Sequence, residues 1–455
     1  MMSKILYLYV RGGAPLEYAF PRIAACGELH VLALSPMPEA GEDDWRPACT
    51  SITERRTDLR GDALVDYVAE FARELGADAI LTLSEFAVLM VSRVAAKLGL
   101  RGAGPNLVKA RDKRLMREAW AAAGSPIPDF RRVTSENDLR DALETLRAPM
   151  LLKPAWGAGS VAQLVLTEPS EAGPAWAEVA QALQKGSEVG MNELYQSGTD
   201  GDLLVEEIID SSTEGWYPDA GYGDYVSVEG IVADGVYHSL CITGRLPAIP
   251  PFTEVASTAP CALPVDLQRQ LEEVSRQAVD ALGLDTCGTH TELKLTREGP
   301  MLIETGARFG GVLITEEIET VYGLDVIGML TRQLLGEDVD YPSRMLVEGT
   351  RAAASVAVIP TDAAGNPWRS TPLWNPAAVD WSRILSPGST IEESKAFAMP
   401  TGQPVPPYDQ SGGSRNWLGV FLVTANDAET LRRDCNAVLN GLEAALNRLS
   451  LQAVR

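Results

Sequence analysis

His290-Thr-Glu292-Leu-Lys-Leu-Thr-Arg-Glu-Gly-Pro-Met-Leu-Ile-Glu304 alternates apolar and polar residues on both sides of the triplet Arg297-Glu298-Gly299. Alternation interrupted by turn-forming residues predicts a β-hairpin. With the turn centred on Glu298, Glu292 and Glu304 face each other on one side of the sheet, their Cβ atoms about 4.5–5.5 Å apart. Like charges so placed repel unless a cation stands between them, and hard carboxylate oxygens suit Mg²⁺ bound to nucleotide phosphates. Two glutamates on a solvent-facing sheet produce the same pattern without a metal.

Outward from the hairpin, Arg308 follows Glu304 after Thr-Gly-Ala and precedes Phe309-Gly310-Gly311, where backbone can approach a ligand closely. A guanidinium beside metal-bound phosphates can hold a substrate carboxylate or neutralise a transferring phosphoryl group; it can equally be a salt-bridge partner of the glutamates. Upstream, Met150-Leu-Leu-Lys153-Pro-Ala-Trp-Gly157-Ala-Gly159-Ser160-Val-Ala-Gln-Leu-Val-Leu166 reads as strand, small-residue loop and strand, the form of a lid over phosphates. Its Gly157-x-Gly159-x-x-Ala162 spacing matches a dinucleotide fingerprint, but that turn must open a helix and here a strand continues; no G-x-x-x-x-G-K-[ST] occurs. Asp202-Leu-Leu-Val-Glu206-Glu207-Ile208-Ile209-Asp210 is a strand turning polar at its end, whose backbone can meet an adenine edge.

The chain has 455 residues, 45% of them hydrophobic, which predicts several packed units. Thirty-nine Lys and Arg against 62 Asp and Glu leave a net charge of −23, which repels a phosphate backbone and argues against nucleic acid as partner. The opening run Lys4-Ile-Leu-Tyr-Leu-Tyr-Val10 is too short to span a membrane and lacks a signal peptide's cleavage region, so a cytoplasmic protein is expected. Six cysteines without C-x-x-C spacing and three histidines suggest reduced thiols rather than a Cys/His metal site. Alternating strands and helices to about residue 105, including a helix from Glu85 to Leu98, predict a small parallel sheet; a helix over Lys109–Ala123 then ends at Gly124 and the pattern becomes α+β. The expected units are an N-terminal α/β domain (1–105), a small lid subdomain (106–195), a larger subdomain with the hairpin (196–345) and a C-terminal α+β domain (346–455).

In this order the elements resemble the ATP-grasp superfamily, and within it the dipeptide-forming, bacilysin synthetase-like L-amino acid ligases. The likeness includes Ser84-Glu-Phe-Ala-Val, Arg111-Asp-Lys113-Arg-Leu-Met-Arg-Glu, Val226-Ser-Val-Glu229-Gly, Pro250-Pro-Phe252-Thr-Glu254, Thr289-His-Thr-Glu292, Ile303-Glu-Thr-Gly-Ala-Arg308-Phe-Gly-Gly311 and Gly419-Val-Phe-Leu-Val. The resemblance implies an ATP-grasp fold behind a Rossmann-like N-terminal domain. It also implies ATP and Mg²⁺ as cofactors, small-molecule carboxylate and amine substrates, and is compatible with a homodimer. Carried over, Lys113 and Lys153 lie on the ATP phosphates under a lid of Gly157, Gly159 and Ser160. Glu206, Glu207 and Ile209 meet adenine and Glu214 the ribose. Glu292 and Glu304 hold magnesium, Arg308 and Lys153 are catalytic, and Glu229, Arg245, Phe252, Glu254, His290, Arg308, Gly310 and Gly311 border the amino-acid pocket.

One departure is Gly306, where many ATP-grasp enzymes place a metal-binding Asn, a difference the amino acid ligases tolerate. The implied activity is ATP-dependent amide formation through an acyl phosphate, releasing ADP and phosphate, in secondary metabolism. Three alternatives stay open: a ligase acting on a carrier-bound or non-amino-acid carboxylate, a Rossmann oxidoreductase, and a nucleotide-binding protein without turnover.

Overall fold

The computed structural model describes residues 2–156, 163–188, 202–250, 253–410 and 412–453. Alternate residues of β1 (Lys4–Tyr9) feed opposite cores. Ile5, Tyr7 and Tyr9 pack with Phe20 and Ile23 of the helix Leu16–Ala24, whereas Leu6 and Leu8 pack with Leu64 and Val68 of Gly61–Leu75 and Met90 and Val94 of Val88–Leu98. Burial on both faces is the condition for a parallel sheet. With β2 (Glu28–Ala33), β3 (Cys49–Glu54) and β4 (Ala79–Leu81), β1 forms a parallel sheet in the order β3-β2-β1-β4.

Two helices differ from their sequence-based bounds. The helix expected from Glu85 begins at Val88, leaving Glu85 buried in the strand-to-helix connection. A buried carboxylate requires cationic partners, and the loop lets it reach them. The helix expected over Lys109–Ala123 is two pieces, Val108–Arg111 and Lys113–Ala122. Asp112 breaks it by turning extended (φ −90°, ψ 107°) and caps the second piece by accepting from the Arg114 N–H at 2.9 Å.

An antiparallel sheet follows, built from β5 (Phe130–Val133), β6 (Met150–Pro154), β7 (Leu164–Leu166) and β8 (Leu203–Glu207) in the order β5-β8-β6-β7. Although β8 lies beyond the expected boundary at 195, its ladder partners are β5 and β6. The largest sheet comprises β9 (Tyr225–Ala233), β10 (Val236–Arg245), β11 (Ala256–Ala259), β12 (Cys287–Thr296), β13 (Gly299–Gly306), β14 (Ala352–Val358), β15 (Thr390–Glu393) and β16 (Gly419–Ala425). Its order is β13-β12-β9-β10-β11-β14-β16-β15, every pair antiparallel. The β11–β14 ladder crosses the expected boundary at 345, so the C-terminal strands extend the central sheet instead of forming one of their own. Among the described residues no helix is long and apolar enough to cross a membrane.

Candidate active site

In β12–β13 the strands meet at a two-residue turn, Arg297-Glu298, closed by the Thr296–Gly299 pair. Thr296 Oγ1 fixes it, accepting from the Glu298 N–H at 3.1 Å and donating to the Gly299 carbonyl at 2.8 Å. Continued without interruption, that register would set Ile303 opposite Glu292 and turn Glu304 to the other face. The ladder instead shifts between Glu292 and Leu293: Leu293 pairs with Leu302, Glu292 with Glu304, and Ile303 is the extra residue of a β-bulge. The two glutamates are therefore directly opposed, as the sequence predicts, but by a shorter turn plus a bulge.

The face carrying them is polar along neighbouring strands. Tyr225, Ser227 and Glu229 of β9 alternate with Val226 and Val228, which join the core under the helix Val265–Leu282. Cross-strand pairing puts Ser227 between Thr243 and Glu292, and Glu229 between Cys241 and His290. His290 bridges two carboxylates, Nδ1 at 2.7 Å from Glu229 and Nε2 at 3.3 Å from Glu292. Burial alone would lower its pKa, but Glu229 and Glu292 raise it to about 9, so the ring is an imidazolium at neutral pH. Arg245 lies over the Tyr225 ring and donates to Glu254 at 3.0 Å, Thr243 Oγ1 at 2.9 Å and Ser227 Oγ at 3.1 Å. Burial opposes ionisation of Glu304, yet Lys113, with Lys153 and Arg308 nearby, holds its carboxyl down at about 2.

In the four-stranded antiparallel sheet, Lys153 of β6 is buried and ion-paired with Glu206, whose other oxygen accepts from Arg117 Nε at 3.0 Å. Burial depresses the Lys153 pKa against the pull of Glu206. Beyond Glu206, the Glu207 N–H donates to Asp129 and the Ile208 N–H to Pro149, so the strand enters Ile209 tied to both neighbours. Glu207 accepts from the Arg147 N–H at 2.8 Å. Glu214 pairs with Arg297 at 2.8 Å, at the turn end of the hairpin. Glu292 is five residues up that strand, roughly 17 Å away. Gly157, Gly159, Ser160 and Phe252 lie outside the described residues.

Gly310 is required by its neighbours: a Cβ there would lie 2.6 Å from Ile314 Cδ1 and 2.9 Å from His290 Nδ1. At Gly311 a Cβ would meet nothing within 4 Å among the described residues, so this glycine borders open space there. Beside Gly306, where a carboxamide is missing, stand Glu85 and Arg308, whose nearest atoms would be 3.5 and 3.6 Å from a Cβ. The remaining donor set still fits magnesium, because that ion keeps water and phosphate oxygens and is commonly held by one or two carboxylates. Glu292 and Glu304 retain 19% and 28% side-chain exposure, which leaves them reachable.

Three further charged residues were not singled out as site residues by their sequence. Glu85 receives ion pairs from both Arg308 and Arg111, and Arg117 reaches Glu206. The available signal for Glu85 was a lone acid inside the apolar run 79–91; for Arg117 it was the basic stripe Lys113, Arg114 and Arg117 on one helix face.

Residues 146–316 match the family model for the ATP-grasp domain, a range holding Lys153, Glu206 and both hairpin glutamates. That segment is similar to the ATP-grasp domain. Among known proteins, the chain is 35% identical over 288 residues to the alanine–anticapsin ligase of Bacillus subtilis (strain 168), covering 63% of itself and 60% of that relative. It is 22% identical over 341 residues to carnosine synthase 1 of Homo sapiens, covering 72% of itself and 39% of the synthase. The likeness thus spans less than two thirds of either relative. An L-amino acid ligase structure from Bacillus licheniformis superposes with a TM-score of 0.70 at 20% identity over 97% of both chains. The biotin carboxylase domain of Hydrogenobacter thermophilus 2-oxoglutarate carboxylase, solved with MgADP, gives 0.64 at 16% identity over 93% of this chain and 86% of that one.

Proposed function

We propose that this protein is an ATP-dependent ligase that joins the carboxylate of an amino acid to the amine of a second amino acid, releasing ADP and phosphate. The observation carrying this reading is the opposed Glu292/Glu304 pair, with His290 against one carboxylate, Lys113 against the other and Arg308 nearby. The names of its relatives, an alanine–anticapsin ligase and an L-amino acid ligase, point to the same chemistry.

Glu292 and Glu304 are the residues that would hold Mg²⁺, which when bound with nucleotide polarises phosphate oxygens as a Lewis acid. Lys113 and Lys153 bind the triphosphate, Lys153 exchanging part of its contact with Glu206 for a phosphate oxygen. Adenine lies along the Glu206 to Ile209 strand end, and Glu214 serves the ribose. A carboxylate is a poor electrophile, so the acid first attacks the γ-phosphorus, the bond to ADP breaks, and an acyl phosphate forms. Arg308 holds the reacting carboxylate and neutralises charge on the transferring group, a positioning and electrostatic task. The unprotonated amine then attacks the acyl carbon, the carbon–oxygen bond to phosphate breaks, and the amine's proton leaves with solvent. Glu229, Arg245, Glu254 and His290, with Gly310 and Gly311, border the amino-acid pocket, where acids and bases alternate to match an ammonium and a carboxylate.

The test is a panel of amino-acid pairs supplied with ATP and Mg²⁺. ADP and phosphate should appear in step with a product whose mass equals the two acids less water. AMP and pyrophosphate in their place would reject the acyl-phosphate route.

A further inference from the structure

Arg117 is wholly buried in the helix Lys113–Ala122, its guanidinium near the Trp120 ring. Its Nη2 donates to the Ile303 carbonyl at 2.7 Å, and its Nε to Glu206 at 3.0 Å. Ile303 is the bulge residue that turns Glu304 to the face of Glu292. A bulge leaves its extra residue outside the ladder, and a buried carbonyl without a donor is costly. A guanidinium satisfies it with a charge-assisted hydrogen bond.

The neighbouring contacts point the same way. β13 is the edge strand of the eight-stranded sheet, and residues 116–126 lie along its outer side. The Leu302 N–H donates to the Pro126 carbonyl at 2.9 Å, and the Thr305 N–H to Met116 Sδ at 3.4 Å. With Arg117 on Ile303, these contacts bracket the bulge, so the segment fits the bulged register.

We propose that Arg117 is a positioning residue for the divalent-metal site: by clamping the Ile303 bulge it keeps Glu304 opposite Glu292, and through Glu206 it ties that register to Lys153. The inference rests on reading Glu292 and Glu304 as metal ligands. Deleting Ile303 provides a discriminating variant, because residues before and after it keep their pairing, Glu304 stays opposite Glu292, and the ladder becomes regular with no bulge to clamp.

The experiment is calorimetric titration of the full chain with ADP, with and without Mn²⁺, alongside melting curves to establish folding. Wild type should bind ADP more tightly with Mn²⁺, and Glu304→Gln should lose that increment. Arg117→Gln should lose about tenfold of it, the equivalent of one charge-assisted hydrogen bond, and should regain it when Ile303 is also deleted. If Arg117→Gln does not fold, Arg117→Lys takes its place. One ammonium cannot reproduce the guanidinium fork, so a partial loss, again relieved by the deletion, is expected. A folded Arg117 variant with the full Mn²⁺ increment, or a loss unchanged in the deleted background, overturns the proposal and leaves the metal reading standing. A wild type indifferent to Mn²⁺, or Glu304→Gln keeping the increment, overturns both.

Discussion

Lys113 Nζ stands 3.1 Å from Glu304, so the carboxylate that faces Glu292 already has one cationic partner supplied by the chain. That contact lets the opposed acids coexist in the fold and keeps Glu304 ionised, ready to serve as a ligand. Glu304→Gln should therefore leave the fold intact while lowering kcat by roughly 10²–10⁴-fold, since Lewis-acid stabilisation is worth several kcal/mol. Steady-state phosphate release and circular dichroism measure the two sides. Turnover at the wild-type level would remove Glu304 from the metal site.

Glu85 is expected to matter through Arg308. Its carboxylate is buried between the guanidiniums of Arg308 and Arg111, and these two charges hold its pKa below the usual range against the effect of burial. Removing one partner of a buried ion pair leaves an uncompensated charge, so Glu85→Ala should cost about 3–5 kcal/mol in urea denaturation. Glu85→Gln keeps the shape and loses the charge. It should lower kcat more than it changes ADP affinity, because Arg308 is assigned to the reacting carboxylate; equal loss in both would place Arg308 on the nucleotide.

What the sequence disclosed followed from periodicity. Alternation placed Glu292 opposite Glu304 although the turn and the bulge that achieve it were invisible, because a three-residue turn and a two-residue turn plus one bulge have the same net offset. Three strands of the parallel N-terminal sheet, β1, β2 and β4, were legible as apolar runs, whereas β3, Cys-Thr-Ser-Ile-Thr-Glu with no fully buried residue, was not. Partnerships between distant segments were not legible. Glu85 with Arg308, Arg117 with Ile303, and β11 with β14 depend on how separate units dock, and no local pattern encodes docking. Glu206 was assigned to adenine by the family resemblance, largely through its backbone; that its side chain pairs with Lys153 and Arg117 was not legible.

Glu317 should make stability fall with rising pH. It is fully buried in the helix Ile314–Tyr322, accepts from the Ser355 N–H at 2.9 Å and from Ser257 Oγ, and its Oε2 has no partner among the described residues. Burial pushes its carboxyl up to about 8, against opposing hydrogen bonds and Arg245. An acid with a raised folded-state pKa binds its proton more tightly folded than unfolded. Its cost is absent below the unfolded value of about 4.3, grows as pH rises and levels off above the folded value. Glu317→Gln, neutral at every pH, should melt close to wild type at pH 4.5 and above it at pH 8.5. Parallel melting curves across that range would contradict the assignment.

Adjacent glycines separate a packing requirement from a binding one. Gly310→Ala would drive a methyl into Ile314 and His290, and overpacking of that kind costs about 1–3 kcal/mol, so both stability and activity should drop. Gly311→Ala meets no atom of the described residues within 4 Å, and stability should stay within about 0.5 kcal/mol of wild type. Any change in its kinetics then comes from what occupies that space during turnover. If the reacting acid lies between Arg308 and this loop, the added methyl should raise KM for one amino acid while leaving ADP affinity unchanged. Unaltered kcat/KM for both amino acids would move the acid's site away from Gly311, and a change confined to ADP would put nucleotide there instead.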